Sequence, residues 1–304
     1  MGLLQVYAIE TPARTVSDCR IVQHELGESC IPRHPKRVIV MDQESLEILV
    51  ALGIKPIAST IPNRVASKIS LLQHQVGAIA DLGKEGQPNL EKIVQLQPDL
   101  ILGMFITPHI YSLLSGIAPT VSIEYSQTGW KQTLRKVGDV VDKRSEAENH
   151  LSDYQQKIEM LNSRFASKTG NLKVCIMRFY TDLQLTQFLN QNSFAVSVLD
   201  DTKTFTIPAI QRQIQQVPNS DYGYVNISLE KIDLLDADAI FVAIDPDAEK
   251  NFQIYQNSPL WQTLRAVKAN HVYTVDSGYW VFGNVLSASE ILNDLVKHLA
   301  SRKA

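Results

Sequence analysis

The chain has 304 residues, 44% of them hydrophobic and 20% charged, with a net charge of −3 and a pI of about 6.2. That length holds two ordinary domains, each with its own core, and the composition is that of a soluble globular protein. It offers no basic field for nucleic acid or an anionic membrane surface, and no apolar run long enough to cross a bilayer.

The opening stretch Met1–Val16 lacks a basic region followed by a long apolar one, so the chain as given is expected to carry no secretory signal. Cys19 and Cys30 frame CRIVQHELGESC, where Gly27 marks a turn between two short arms. Paired as a hairpin, the arms bring the sulfurs within disulfide range; otherwise these are two separate thiols. Cys175, inside the apolar run LKVCIMRF, reads as a small buried hydrophobe. The cysteines and histidines show no zinc-binding spacing.

RVIVM (37–41) then reads as a buried strand and DQESLEILVALG (42–53) as a helix that starts at Asp42 and stops at Gly53. IKPIAST is a second strand. NLEKIVQL is a short helix capped by Asn89, turning through QPD into the strand LILGM. TVSIEY is a further strand, followed by a helix near WKQTLRKVGDVV. Between 143 and 168, Ala147, Leu151, Tyr154, Ile158, Leu161 and Phe165 recur at steps of 4, 3, 4, 3 and 4. This spacing predicts one amphipathic helix of roughly 39 Å. It reads as a strut packed along two halves, with half of a coiled coil as the alternative.

Alternation resumes in strands LKVCIMRF, LQLTQF, AIFVAI and HVYTV, with helices near SLEKIDLL, around SPLWQTLRAVKA and from about Leu286 onward. The expected fold is α/β: two similar lobes with mainly parallel sheets, joined by one long helix, with a ligand cleft between them. The divisions are a tail at 1–18, a first lobe at 19–142, the connecting helix at 143–168 and a second lobe at 169–304. One phrase is written twice. Leu90-Glu91-Lys92-Ile93 and Leu229-Glu230-Lys231-Ile232 align at an offset of 139, as do Leu96 with Leu235, Asp99 with Asp238 and Ile101 with Ile240.

No catalytic constellation emerges. The histidines are scattered, HExxH, Walker, GxSxG and GxGxxG patterns are absent, and the acidic pairs Asp200-Asp201 and Asp236/Asp238 fall at predicted turns. No nucleophile has a neighbouring base, which argues against an enzyme. Large polar and aromatic residues instead gather after predicted strands: Arg64 in TIPNRVAS, Tyr125 and Trp130 after TVSIE, Arg178 and Tyr180 at the end of LKVCIMRFYT, Tyr222 and Tyr224 in NSDYGYVN, and Tyr279, Trp280 and Phe282 in DSGYWVFG. Arginine offers a planar donor fork for chelate oxygens, and aromatic faces cover the apolar parts of a bulky ligand.

From Cys19 onward the chain resembles the two-lobed substrate-binding proteins of ABC importers for ferric siderophores and cobalamin, nearest the ferric hydroxamate binders. The resemblance rests on CRIVQHELGESCIPRHPKRVIVMDQESLEILVALGIKPIAS, DLGKEGQPNLEKIVQLQPDLIL, NISLEKIDLLDADAIFV and SPLWQTLRAVKANHVYTVD in this order. It implies that Arg64 contacts the iron-chelating groups. Tyr222 stands where that subfamily has a pocket tryptophan, and WVFG, giving Trp280 and Phe282, replaces its W-x-Y-G. The resemblance further implies that Glu91 and Glu230 dock onto arginines of a membrane permease. A helix-terminus role is the plainer reading, because each follows a cap, Asn89 or Ser228, where a carboxylate gains about 0.3–1 kcal/mol.

The expectation is therefore a monomeric receptor, periplasmic or membrane-anchored on the outer face of the inner membrane. It takes a preformed iron(III)–siderophore complex, makes no direct bond to the metal and holds no cofactor of its own. Cobalamin or haem as ligand, an α/β enzyme, and a bare metal ion held by His24, His34 or His109 are the rival readings.

Overall fold

The computed structural model describes residues 19–61, 71, 72, 76, 77, 79–166, 172–180, 187–212 and 223–300. β1 (Cys19–His24) and β2 (Gly27–Pro32) form the hairpin, and Cys19 and Cys30 are disulfide-bonded, with their Cα atoms 5.5 Å apart. Next come β3 (Val38–Val40), α1 (Gln43–Ala51), β4 (Ala58–Ile61), β5 (Ala80–Lys84), β6 (Gln87–Pro88), α2 (Leu90–Leu96), β7 (Leu100–Gly103), α3 (Pro108–Ser115) and β8 (Thr120–Ser122). The first sheet runs β6-β5-β4-β3-β7-β8 and is parallel except for the β5–β6 pair. The hairpin closes its edge: the Glu25 N–H donates to Ser122 O and the Ser29 hydroxyl to Thr120 O.

Two helices, α4 (Trp130–Val140) and α5 (Arg144–Phe165), lead to the second lobe. There follow β9 (Leu172–Phe179), β10 (Gln187–Leu189), α6 (Phe194–Thr202), β11 (Phe205–Thr206), β12 (Tyr224–Asn226), β13 (Ala239–Ile244), α7 (Glu249–Gln256), α8 (Arg265–Lys268), β14 (Val272–Asp276), α9 (Ser277–Trp280) and α10 (Val285–Leu299). This sheet, β12-β10-β9-β13-β14 with β11 beside β9, is parallel in its β9, β11, β13 and β14 pairs, with β10 antiparallel to both β9 and β12 at one edge. Of the strand expected at LQLTQF, only its end lies among the described residues.

The repeated phrase marks equivalent places in the two sheets. Asp99 accepts from the N–H groups of Lys36 and Arg37 at 2.8 Å, and Asp238 accepts from the Lys173 N–H at 2.9 Å. Each aspartate thus pins the entry of its strand to the neighbouring one. Ile93 and Ile232 are buried beneath their lobes, and Ile101 and Ile240 lie within the strands that follow. The local structures differ, however. Asn89 caps α2 by accepting from the Lys92 N–H, whereas Leu229–Leu235 is 3₁₀ with a kink at Lys231, and Ser228 caps no helix N–H.

Strand alternation divides the side chains between two kinds of core. One face of each sheet is covered by its own outer elements: Ile39 and Ile101 lie with Ile93 and Leu114, and Met177 and Ile240 with Ile232 and Phe252. The other faces share one cluster. Val38, Val40 and Leu102 of the first sheet and Val174, Ile176 and Phe241 of the second belong to the same core as α1, α4, α5, α6 and α10. The six apolar positions read for the connecting helix are its buried ones. α5 packs against α4 and α10, and its Tyr154 hydroxyl donates to Asp201 at 2.9 Å, an oxygen that Lys131 also meets at 2.7 Å. Cys175 is fully buried, and burial pushes its thiol pKa up, keeping it protonated and inert.

Polar contacts also cross the junction. Glu47 of α1 is fully buried; its Oε1 accepts from the Asn284 and Ser287 N–H groups, each at 2.9 Å, and its Oε2 from the Ser287 hydroxyl at 2.6 Å. Burial raises the Glu47 carboxyl above its ordinary value, and the hydrogen bonds only partly oppose this. The native state therefore holds this proton more tightly than the unfolded chain. The stability it contributes is complete below the ordinary glutamate range and declines as pH rises toward the raised native value. Glu47→Gln carries no charge at any pH, so chemical denaturation between pH 4 and 8 should show the variant gaining on the parent as pH rises. A difference independent of pH would contradict this.

Candidate functional site

The C-terminal ends of parallel strands are where α/β sheets place ligands. In the first lobe, Asp42 follows β3 directly and is fully buried. One oxygen caps α1 by accepting from the Ser45 N–H, and the other accepts from the Met104 N–H beyond β7, both at 2.7 Å. Burial raises its carboxyl above the usual range against these bonds. The contact fixes the loop holding Phe105, whose half-buried ring lies 4.6 Å from that of Tyr125, itself just beyond β8. Arg64 lies outside the described residues.

In the second lobe, Arg178 ends β9 next to Phe179 and is 7% exposed. Its Nη2 and Nε donate to the two carboxylate oxygens of Asp245, at 2.6 and 3.3 Å, and its Nη1 donates to Gln187 at 3.2 Å. The guanidinium carbon lies 5.3 Å from the Tyr180 ring and 5.8 Å from the Phe282 ring. A desolvated cation over an aromatic face gains about 2 kcal/mol. Three strand ends and the segment after α9 thus converge on one planar, charge-balanced group.

Two residues expected to wall the pocket are core residues instead. Trp130 is 2% exposed and packs edge-on against Tyr154 and Phe194, at 5.1 and 6.0 Å, inside the junction between the lobes. Trp280 is fully buried, stacked on Phe241 at 4.8 Å, and its indole N–H donates to Asp294. Both begin or end a helical turn whose inward side meets the shared core, so neither ring offers a ligand any surface in this conformation. Tyr279, from the same segment, also donates to Asp294. Tyr224 opposes Leu189, while Gln187 opposes Asn226, which puts Tyr224 roughly 7 Å along the strand from the Arg178 level. Tyr222 lies outside the described residues.

Sequence reading missed Asp245 and Gln187. Asp245 directly follows β13, the strand beside β9, and that position was its available signal. Glu91 and Glu230 are both exposed, each at the start of its short helical segment. The Glu230 carboxyl is held below its ordinary value by its own backbone N–H and the Ser228 hydroxyl.

Among the described residues, no group of three or more His, Cys, Asp and Glu side chains is placed to hold a metal ion. His24 is engaged within the hairpin, with its Nδ1 accepting from the Leu26 N–H and its Nε2 3.1 Å from the Ser29 hydroxyl. Among the same residues, no helix is long and apolar enough to cross a membrane.

Two sheet lobes with a shared helical layer, and an arginine–aromatic cluster at the strand ends, are features of a solute-binding protein. The chain belongs to the periplasmic binding protein family, which residues 38–279 match. It is 30% identical over 295 residues to the probable siderophore-binding lipoprotein YfiY of Bacillus subtilis, covering 94% of this chain and 90% of YfiY. It is 25% identical to the iron(3+)-hydroxamate-binding protein FhuD of the same organism, covering 90% of this chain and 84% of FhuD. Among solved structures it is similar to Staphylococcus aureus SirA in complex with staphyloferrin B, with a TM-score of 0.78, 29% identity, and 92% and 98% of the two chains covered.

Asp245→Ala leaves the Arg178 charge buried without its carboxylate, which costs about 3 kcal/mol. Denaturation should show a loss of that order, and a variant within about 0.5 kcal/mol of the parent would contradict the buried ion pair.

Proposed function

We propose that this protein is an extracytoplasmic receptor that captures a ferric siderophore, of hydroxamate type, and delivers it to the permease of an ABC importer. The Arg178 cluster carries this reading. Iron(III) is hard and prefers oxygen donors, and the siderophore supplies them, so the protein meets only the outside of the complex. Three hydroxamates on iron(III) make a neutral complex, which calls for hydrogen-bond donors and aromatic faces rather than uncompensated positive charge. Arg178, its charge balanced by Asp245 and flanked by Tyr180 and Phe282, fits that demand. Arg64, Tyr222 and Tyr224 complete the proposed ligand set, with Tyr125 and Phe105 on the opposite wall of a cleft between the lobes. The similarity to YfiY, a probable siderophore-binding lipoprotein, and to FhuD, an iron(3+)-hydroxamate-binding protein, supports the same class of ligand.

The Cys19–Cys30 disulfide supports an oxidising compartment, hence a periplasmic or membrane-anchored protein outside the inner membrane. The receptor acts as a monomer without a resident cofactor. Fluorescence-quenching titrations with ferric hydroxamate, ferric citrate, ferric tris-catecholate, cobalamin and haem test the ligand. Saturation by the hydroxamate is expected, and saturation by cobalamin or haem alone would overturn the reading.

Glu91 and Glu230 are the proposed docking points for the permease. Both are exposed, and an exposed apolar residue follows one turn later in each lobe, Val94 at 54% and Leu234 at 47%. Alanine at either glutamate should weaken permease association and transport while leaving ligand affinity within about twofold. A large loss of ligand binding would argue against docking.

A further inference from the structure

Phe282 forms one side of the Arg178 sandwich, yet much of what fixes its backbone comes from the other lobe. On one side of it, the Gln43 side-chain amide donates to Gly278 O at 2.9 Å. On the other, Glu47 accepts from the Asn284 and Ser287 N–H groups and the Ser287 hydroxyl. Gln43 and Glu47 are one turn apart on α1, so one face of a first-lobe helix grips both ends of the Tyr279–Phe282 segment. Among the described residues, the Asn284 side chain reaches the adjacent Val285 N–H and Trp130 O. Glu47 therefore serves as the acceptor that caps the third residue of α10. Gly283 fits the tight approach: a Cβ there would stand 2.3 Å from that of Ser287 and 3.0 Å from the Phe194 ring.

The contacts continue into the first lobe. α1 is capped by Asp42, whose other oxygen holds the Met104 N–H beside Phe105, the ring partner of Tyr125. Hydrogen bonds thus run from Met104, next to Phe105, through Asp42, α1, Gln43 and Glu47 to residues on both sides of Phe282, whose ring faces Arg178.

We infer that Gln43 and Glu47 are positioning residues: they set the spacing between the two walls of the proposed binding cleft without touching the ligand. This rests on the receptor reading for its consequence in affinity, but its geometry is measurable without any ligand.

The test uses the full chain with spin labels on Val94→Cys and Ile254→Cys. These positions are 54% and 63% exposed, one in each lobe, and the only native free thiol among the described residues, Cys175, is buried. Pulsed electron resonance on the ligand-free protein should give one narrow distance distribution for the parent and for Glu47→Gln, which keeps an acceptor for the two N–H groups. Glu47→Ala should broaden or shift it and should weaken ferric hydroxamate binding at least tenfold, with Glu47→Gln restoring most of the affinity. A folded Glu47→Ala whose distribution superposes on the parent's overturns the inference. If Glu47→Ala does not fold, Gln43→Ala decides by the same two outcomes. Distances that respond as expected in a protein that binds no ferric siderophore would support the positioning role and sink the proposed function instead.

Discussion

Both sheets turn one face toward the same layer of helices, and the apolar cluster there is continuous from one lobe to the other. Everything else about the molecule follows from that shared core. Moving the lobes far apart would expose side chains such as Leu151, Ile158 and Leu295, each stabilised by about 1.5–3 kcal/mol through burial. The connecting helix is therefore less a hinge than a piece of common interior. On the proposed function, recognition would then depend on walls already in place, with little closure to improve a poor fit.

A shared apolar core holds two bodies together but does not fix their orientation, because hydrophobic contact has no direction. Direction comes from buried polar groups that are paired across the junction. Glu47 meets the N-terminus of α10, Lys131 and Tyr154 meet Asp201, and Gln127 accepts from the Phe194 N–H. All of these cross between elements of different lobes or the connecting helix. Gly223, at φ +81°, belongs to the same logic: a Cβ there would press to 2.9 Å against the Gln127 side chain. Breaking one of these pairs leaves a polar group unpaired in the interior, which is costly, so together they favour one arrangement of the lobes.

Much of the architecture was legible in the sequence because it is local. The 4-3-4-3-4 spacing names the buried face of α5, and the run LKVCIMRF coincides with β9. Less legible was anything set by the direction of a side chain across a long sequence separation. Trp130 and Trp280 follow strands, as read, but they lie in helical turns and their rings turn inward onto residues far along the chain, which spacing does not encode. LEKI makes an α-helix in one lobe and a kinked 3₁₀ turn in the other, because Asn89 caps its helix and Ser228 does not. Glu47 gave no local signal at all. It lies among Leu46, Ile48 and Leu49 on a helix buried on most sides, and its partners are some 240 residues away. The antiparallel direction of β10 was similarly hidden, since a strand of three residues carries no mark of its direction.

The central claim is that a preformed cleft between fused lobes holds an iron(III)–siderophore complex by its outer surface. Native mass spectrometry after incubation with a mixed panel of ferric hydroxamate, citrate and catecholate complexes, cobalamin and haem tests it most directly. The account predicts one ferric siderophore retained per chain, its iron still within the siderophore. Retention of cobalamin or haem alone, of bare iron, or of nothing in the panel would contradict it.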